Sequence, residues 1–186
     1  VKHFVGYGAG YKGYDGHYLL GSIAKFDGDN FQSHLIPFEA AFKEANAAAA
    51  MPMYPVPEKI TEEQMAGGYN KELLDLGREL GFTGFYTSDW GIYGGFIDTG
   101  WGVKALNQTQ RAALSQNAGM NAYGGTNLSA QTLEAIEMGY LTEDVVSKSA
   151  ERILKTMFAM GLFENPYAEI PASDDVFTTE DSEHWK

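Results

Sequence analysis

The sequence lacks cysteine entirely among its 186 residues, so disulfide bonds and thiolate metal sites are excluded. It also lacks any run of ~18 apolar residues, and no membrane-spanning helix is predicted. Basic residues are scarce: 13 Lys and Arg stand against 25 Asp and Glu, which gives a formal net charge of -12. Nucleic acids and anionic membranes bind basic surfaces, so neither is expected as a partner. The acidity fits solubility alone, or neutral or cationic ligands.

Glycine is abundant near the start of the chain, where six glycines fall between positions 6 and 21. Such density allows tight turns and close approach of the backbone to a ligand. The segment is not a phosphate-binding loop, because no Gly-Lys-Ser/Thr closes it, and no helical pattern follows directly as a dinucleotide site would require. We therefore expect no cofactor, and no metal.

Apolar periodicity divides the rest into alternating strands and helices. Strands are predicted at 1–5, 47–54, 84–91 and 118–123, and helices at 35–47, 70–81, 107–117, 129–139 and 142–160; loops are predicted at 55–68 and 92–104. Alternation of this kind implies a parallel sheet with right-handed crossovers. The fold class is therefore α/β, and four such strands ending in polar or aromatic residues suggest the second part of an eight-stranded (β/α)8 TIM-like barrel.

The segment GFYTSDWG, at 84–91, ends a predicted strand in a carboxylate followed by an indole. Residues at the carboxyl ends of parallel strands are the ones that meet ligands, which makes Asp89 the first candidate for chemistry. The alternative is that Asp89 caps a following helix, since Ser-Asp is good capping chemistry.

Several motifs together resemble glycoside hydrolase family 3, which includes many β-glucosidases. They are Lys2-His3-Phe4, Asp15-Gly16-His17, Ala-Met-Pro-Met-Tyr at 50–54, GFYTSDWG, Asn-Ala-Gly-Met at 117–120 with Asn121 where Asp is common, and the segments at 150–154 and 160–167. The resemblance implies that residues 1–167 are the C-terminal portion of the family's catalytic barrel. Residues 168–186 are then an acidic linker or tail leading toward a second domain.

The activity implied by the resemblance is that of a retaining, exo-acting glycosidase that removes a terminal β-linked sugar. Asp89 would be the nucleophile of a double displacement, forming a glycosyl-enzyme that water hydrolyses. A β-N-acetylglucosaminidase, a β-xylosidase and a non-catalytic carbohydrate-binding fragment of the same fold remain alternatives.

The resemblance also assigns sugar-binding residues. Lys2 and His3 would donate to hydroxyls of the terminal sugar, Tyr54 would hydrogen-bond the nucleophile or ring oxygen, Met51 would line the pocket, and Trp90 would stack on the leaving group. For Met51 and Trp90 the alternative is core filling, and for Lys2 and His3 a surface lysine beside a core histidine. Neighbours in a regular strand point to opposite faces, so we expect a strained or cis peptide near 2–4.

The general acid is not evident in these residues. In most of the family it is a glutamate from a second domain, whereas one branch uses an Asp-x-His dyad. Asp15 and His17 match that dyad, although Val5 and Tyr7 replace the branch's usual Pro and His. They are either an alternative acid/base pair or polar contacts that order the loop.

The chain starts at Val1 without methionine, and we expect it to be a fragment. Its expected partners are a β-glycoside or oligosaccharide substrate, the missing barrel half and the C-terminal domain. Open strand edges invite pairing, so we expect order only together with that missing half. The family resemblance favours a periplasmic or extracellular location.

Overall fold

The computed structural model describes residues 1–168. They contain five α-helices and five short strands, and helices separate the three strands of the main sheet. The strands are β1 Lys2–Phe4, β2 Ile23–Ala24, β3 Ala49–Pro52, β4 Val56–Pro57 and β5 Phe85–Tyr86, and the helices are α1 Phe31–Lys43, α2 Lys71–Glu79, α3 Gln108–Ala118, α4 Ser129–Glu137 and α5 Glu143–Ala159. Single-turn helices fill the glycine-rich segment.

The main sheet is parallel and has β3 at its centre, between β1 and β5. Lys2 lies opposite Met51, and Ala50 lies opposite Tyr86. A parallel bridge between Thr87 and Ala122 continues this sheet beyond β5. The predicted α/β class, with parallel strands alternating with helices, is therefore confirmed.

The fourth predicted strand, at 118–123, is wrong in extent. Helix α3 runs to Ala118 and is ended by Gly119 in the left-handed region (φ 115°), which leaves only the bridge at Ala122. The predicted loop at 55–68 contains β4, which pairs in parallel with β2 in a second, two-stranded sheet. Neither short strand has a periodic signature long enough to find in the sequence.

Helix boundaries follow local capping. The Asn70 side chain accepts a hydrogen bond from the Leu73 amide and starts α2, while Asn107 forms a capping box with Gln110 at the start of α3. Helix α1 begins four residues before its predicted start at 35, because the apolar stripe already includes buried Phe31. It ends before the predicted 47, near Asn46, whose φ of 49° is left-handed.

Strand β1 is irregular, as expected. The Lys2-His3 and Phe4-Val5 peptide bonds are cis, and the pairing register shifts between Lys2 and Phe4. The expectation of non-regular geometry at 2–4 is confirmed.

Two apolar clusters in residues 1–156 support the sheet. One packs helices α1 and α2 beneath the strands, around Phe4, Phe42, Leu73 and Tyr86. The other gathers aromatic side chains that follow the strand ends, with Tyr54, Tyr69, Tyr93 and Trp101 at its centre. Residues of the loops after β3 and β5 pack in this second cluster.

Residues 157–168 belong to a separate unit, in which the rings of Phe158 and Phe163 stack with centroids 4.2 Å apart. The predicted tail at 168–186 lies, from residue 169 onward, outside the described residues. None of the described helices is long and apolar enough to cross a membrane. Within residues 1–168, His, Asp and Glu side chains form no group of three that could hold a metal ion.

Candidate active site

Asp89 follows β5 at the carboxyl end of the parallel sheet and is 8% exposed. Its Oδ1 accepts hydrogen bonds from the Tyr54 hydroxyl at 2.7 Å and from the Trp90 amide at 2.8 Å. Its Oδ2 lies 3.3 Å from Nε2 of His3. No helix begins at this point, since the next described helix is α3 at Gln108, so the capping alternative for Asp89 is excluded.

Tyr54 supplies a neutral donor to this carboxylate. Its hydroxyl lies 2.7 Å from both Asp89 Oδ1 and the Trp90 carbonyl oxygen, so its single proton serves one acceptor at a time. Burial, and then the hydrogen bond to Asp89, raise the pKa of Tyr54 above its ordinary value of 10.0. The phenol therefore stays protonated at neutral pH and can orient the carboxylate.

His3 faces the second oxygen of Asp89 from β1. Burial lowers the pKa of His3 below 6.5, and nearby Lys2 and His17 add to this effect, although the Asp89 charge opposes it. The imidazole is therefore neutral at pH 7, and donation to Asp89 places its hydrogen on Nε2. His3 of β1, Tyr54 after β3 and Asp89 after β5 thus meet at one carboxylate.

Lys2 and Met51 lie beside this group without joining it. Lys2 is exposed and pairs in register with half-buried Met51. Within residues 1–168, no hydrogen bond or ion pair links the Lys2 amine to another side chain. Lys2 is the first residue of β1, and it also borders a groove formed with Pro37, Phe38 and Ala41 of α1.

Asp15 and His17 form a fixed pair in the glycine-rich loop. Asp15 Oδ1 accepts from the His17 amide at 3.0 Å, from the Tyr7 hydroxyl at 3.1 Å, and lies 2.7 Å from His17 Nδ1. The hydrogen bonds from the His17 amide and ring lower the pKa of Asp15. Burial and Asp15 raise the pKa of Tyr7 to about 12, which keeps that phenol a donor.

Tyr54 contacts both the His17 ring of this pair and the Asp89 carboxylate. The rings of His17 and Tyr54 lie with centroids 4.5 Å apart, and Tyr7 contacts the ring of His3 at 4.9 Å. Sequence reasoning treated Tyr7 only as a departure from a family pattern. Its part in holding Asp15 had no signal in the sequence beyond an aromatic residue among glycines.

Trp90 is 55% exposed, so its indole is not a core residue. The ring covers Gly124 and Gly125, and a Cβ at Gly125, whose φ is 68°, would collide with it. Its carbonyl is held by Tyr54. Beside the indole lies a cavity of about 430 Å³, bounded by loop residues 91–97, by His17 and Tyr54 at one end, and by Gln108 and Thr126.

The loop after Trp90 is fixed by a buried arginine that sequence reasoning missed. Arg111, in α3, is 4% exposed and pairs with the Asp98 carboxylate through two hydrogen bonds of 2.8 and 3.1 Å. Its remaining N–H groups donate to the carbonyl oxygens of Ile92, Lys104 and Leu106. Burial alone would raise the pKa of Asp98, but the hydrogen bonds from Arg111 and Gly100 outweigh it and lower that pKa.

Comparison of the chain with known proteins identifies its family. Residues 1–156 match the model of the "Glycosyl hydrolase family 3 N terminal domain". The chain is 39% identical to a periplasmic beta-glucosidase/beta-xylosidase of Dickeya chrysanthemi, over 95% of the chain and 30% of that protein. It is 36% identical to beta-glucosidase C of Emericella nidulans, over 97% of the chain and 30% of that protein. The chain thus spans about 30% of the length of these curated relatives.

A solved structure agrees with the sequence relatives. The crystal structure of a beta-glucosidase from Listeria innocua in complex with glucose matches 98% of this chain and 24% of its own, with a TM-score of 0.76 and 28% identity. The N-terminal domain of such enzymes is a TIM-barrel-like fold, which confirms the predicted fold class. The chain therefore belongs to glycoside hydrolase family 3, and it forms part of the family's N-terminal barrel domain.

Proposed function

We propose that the protein containing this chain is a retaining, exo-acting β-glycosidase that removes a terminal β-linked glucose, with Asp89 as its nucleophile. The observation that carries the proposal is the nearly buried Asp89 carboxylate after a strand end, which accepts a hydrogen bond from the neutral Tyr54 hydroxyl and lies 3.3 Å from the neutral His3 ring. The names of the relatives, which are beta-glucosidases, support glucose as the sugar.

The two oxygens of Asp89 have different surroundings, and this suggests which one attacks. Oδ1 accepts from both the Tyr54 hydroxyl and the Trp90 amide, whereas Oδ2 faces only His3, at 3.3 Å. Oδ2 therefore has lone pairs free for the anomeric carbon. Attack forms the bond from Oδ2 to that carbon and breaks the bond to the leaving oxygen, and water later releases the sugar.

The sugar would lie between the end of β1 and the indole. His3 and the exposed Lys2 would donate to its hydroxyls, half-buried Met51 would contact its ring, and Trp90 would cover the leaving-group side. An indole face suits the apolar face of a sugar or an aromatic aglycone.

A retaining mechanism needs an acid about 5–5.5 Å from the nucleophile. We assign that role to a carboxylic acid outside the described residues, in a protein whose relatives are more than three times as long as this chain. The Asp15–His17 pair is the candidate within the chain, because His17 packs on Tyr54. If His17→Ala retains full turnover, the pair orders the loop; if turnover falls and added azide restores it, His17 takes part in acid/base chemistry.

The test of the nucleophile compares Asp89→Ala with Asp75→Ala in the complete protein, using an aryl β-glucoside. Asp75 lies exposed on α2 and serves as a matched control. We expect turnover to fall by about a thousandfold or more for Asp89→Ala and to be unchanged in the control. A 2-deoxy-2-fluoro glucoside should leave a covalent adduct on Asp89, detectable by peptide mass. Equal turnover in the two variants would overturn the assignment of Asp89, whereas no turnover in the unmodified protein would favour a non-catalytic carbohydrate-binding role.

A β-xyloside and an N-acetyl-β-glucosaminide should be assayed beside the glucoside. The Dickeya chrysanthemi relative is named for both glucosidase and xylosidase activity, which makes β-xyloside the second candidate substrate. Faster cleavage of either alternative would replace glucose and leave the role of Asp89 intact.

A further inference from the structure

The buried indole of Trp101 joins two loops that are far apart in the sequence. Trp101 is 6% exposed and lies in the loop between Trp90 and α3. Its Nε1–H donates a hydrogen bond of 2.8 Å to the carbonyl oxygen of Gly16, which lies 85 residues earlier in the chain. Gly16 is the residue between Asp15 and His17, so the indole bonds to the centre of that pair.

This hydrogen bond attaches the middle of the glycine-rich loop, residues 6–22, to the rest of the protein. Among residues 1–168, Trp101 is the only residue outside this loop whose side chain forms a hydrogen bond to it. Backbone contacts with the segment around β2 hold Ala9 and Gly10, and a backbone amide donates to the carbonyl oxygen of Ser22. Between those two attachments, the loop depends on the indole for its polar contact with the surrounding protein.

Trp101 is itself fixed by groups outside the glycine-rich loop. The Ala66 amide donates to the Trp101 carbonyl oxygen at 2.9 Å, and Lys104 Nζ lies 3.9 Å from the centroid of the indole. A Cβ at the next residue, Gly102, would lie 2.5 Å from the Gln64 carbonyl oxygen, so this part of the chain packs tightly. The indole N–H therefore has a defined position that does not depend on the loop it bonds to.

Gly16 also packs against residues of the active site. It is buried, and a Cβ at this position would lie 3.1 Å from the Tyr7 hydroxyl oxygen and 3.1 Å from Cγ of Pro55. Pro55 directly follows Tyr54, and the Tyr7 hydroxyl donates to Asp15. A shift of this turn would therefore be felt at Tyr7 and beside Tyr54.

The place of the His17 ring follows from the place of this turn. Its Nδ1 lies 2.7 Å from Asp15 Oδ1, and its centroid lies 4.5 Å from that of Tyr54. The side chain is 39% exposed and borders the same cavity as Tyr54 and Trp90, which both bond to Asp89. Within residues 1–168, Nε2 of His17 has no hydrogen-bond partner. One nitrogen of the imidazole is therefore free at the edge of the carboxylate site.

We propose that Trp101 is a positioning residue for His17. Through the Gly16 carbonyl, its indole N–H keeps the imidazole beside Tyr54, where Nε2 bonds to the substrate held at Asp89. The contact with substrate rests on the proposed function. Trp101 does not line the cavity that His17 borders, so it acts on turnover only through the imidazole.

The kinetic test is a double-mutant cycle of Trp101→Phe and His17→Gln in the complete protein, with an aryl β-glucoside as substrate. Trp101→Phe keeps an aromatic ring and removes the N–H. Loss of this one buried hydrogen bond should lower kcat/KM about three- to tenfold. In the His17→Gln protein, the same change should alter kcat/KM by less than about twofold, because the group that it positions is already absent. An equal loss in both backgrounds, or no loss in either, would overturn the inference.

Two glycines of the loop provide a second, matched comparison. A Cβ at Gly16 would press on Tyr7 and Pro55, whereas a Cβ at Gly8 meets nothing within 4 Å. Neither glycine has a positive φ, so alanine is compatible with the backbone at both positions. Gly16→Ala should displace the turn and lower kcat/KM as Trp101→Phe does, while Gly8→Ala should leave it within about twofold of the unmodified protein. Equal values in the two glycine variants would contradict the positioning role.

A chemical measurement separates this inference from the proposed function. Diethyl pyrocarbonate acylates free imidazole nitrogens, and peptide mass gives the rate of its reaction at His17. Loosening the turn should raise this rate about threefold or more in Trp101→Phe and Gly16→Ala. Tyr69→Phe is the control and should leave the rate unchanged, because it removes a buried hydrogen bond to Ile92 and none to the turn.

The two proposals fail in different ways in this experiment. If no glycoside is cleaved but the rate at His17 rises in Trp101→Phe and Gly16→Ala, the proposed function fails and the positioning of the imidazole by Trp101 stands. If glycosides are cleaved and the rate at His17 is the same in every variant, the positioning role fails alone.

Discussion

Tyr54 is the residue on which the site depends most, because one hydroxyl serves both Asp89 and the backbone that carries Trp90. Its ring also packs against His17 and lies 6.3 Å from that of Tyr7. A phenol whose pKa is raised by burial remains a donor throughout the neutral range. The position therefore links Asp89, the proposed nucleophile, with Trp90 and with the glycine-rich loop.

Replacing Tyr54 with Phe removes the donor and keeps the ring. Hydrogen bonds to charged groups contribute about 1.5–3 kcal/mol, so we expect kcat for an aryl β-glucoside to fall roughly ten- to hundredfold. Tyr69→Phe is the matched control, since the Tyr69 hydroxyl bonds to the Ile92 carbonyl and not to Asp89. The control should lower the free energy of unfolding, because it removes a buried hydrogen bond, and it should leave kcat nearly unchanged. Equal kcat in the two variants would contradict the role given to Tyr54.

His3 gives the site a pH dependence of defined sign. Burial lowers its pKa below 6.5 in the folded chain, so between that lowered value and 6.5 the unfolded chain binds more protons. Stability attributable to His3 is therefore complete above about pH 6.5 and decreases as the pH falls through this window. The melting temperature should drop less in His3→Gln than in the unmodified protein between pH 7.5 and 5. A His34→Gln control should behave like the unmodified protein, and an identical drop in both variants would refute the assignment.

For individual residues, the sequence predicted Asp89 and its neighbours His3 and Tyr54. It did not predict the hydrogen bonds and ion pairs that position the surrounding loops. Asp89, His3 and Tyr54 were each predicted, and the structure brings them together. The contact from Tyr7 to Asp15 depends on the path of a loop made of glycine turns, which no periodicity encodes. The pairing of Arg111 with Asp98 joins a helix to a loop thirteen residues away, and neither residue type is unusual in its own segment.

The loop between Trp90 and α3 has no regular strand or α-helix, and the Arg111 side chain makes several of its hydrogen bonds. Arg111 uses every N–H group it has, on one carboxylate and three carbonyl oxygens. Lysine cannot reproduce this planar, forked set of bonds. One guanidinium therefore supplies five hydrogen bonds to the loop.

Replacing Arg111 with Lys should destabilise the protein and loosen this loop. Breaking a buried, hydrogen-bonded ion pair costs about 3–5 kcal/mol, and we expect the lower part of that range, since Asp98 is partly exposed. Urea unfolding measures the loss, and Arg152→Lys, at an exposed residue of α5, is the control. A double-mutant cycle with Asp98→Asn should show non-additivity; strict additivity would mean that the pair does not act as one unit.

Regular elements were more predictable than the segments between them. Helices α2 and α3 begin at capping asparagines that the sequence shows directly, and the predicted bounds of α2 to α5 agree with the structure to within about two residues. The strands β2 and β4 are two residues long and form only because the loops that carry them are brought side by side. Their pairing is a tertiary effect, which overrides local preference.

Within residues 1–168 the three-stranded sheet has an unpaired edge at β1. A groove of about 370 Å³ lies beside it, lined by Val1, Lys2, Pro37, Phe38 and Ala41. Large apolar side chains are also exposed elsewhere, with Leu19, Leu20 and Ile36 each more than 60% accessible. Unpaired edges and exposed apolar surface both favour association with another chain.

We therefore predict that the 186-residue chain, expressed by itself, self-associates. Light scattering coupled to size-exclusion chromatography should give a mass that rises with concentration. Lysine at a sheet edge opposes pairing, so Val1→Lys, at the residue before β1, should shift the population toward monomer. Leu133→Lys, which adds the same charge to exposed α4, should not. A compact monomer at all concentrations, with no dye binding to apolar surface, would contradict the prediction and show that the β1 edge does not drive association. An equal shift in both lysine variants would show that the association does not depend on the β1 edge, because Leu133 lies on α4.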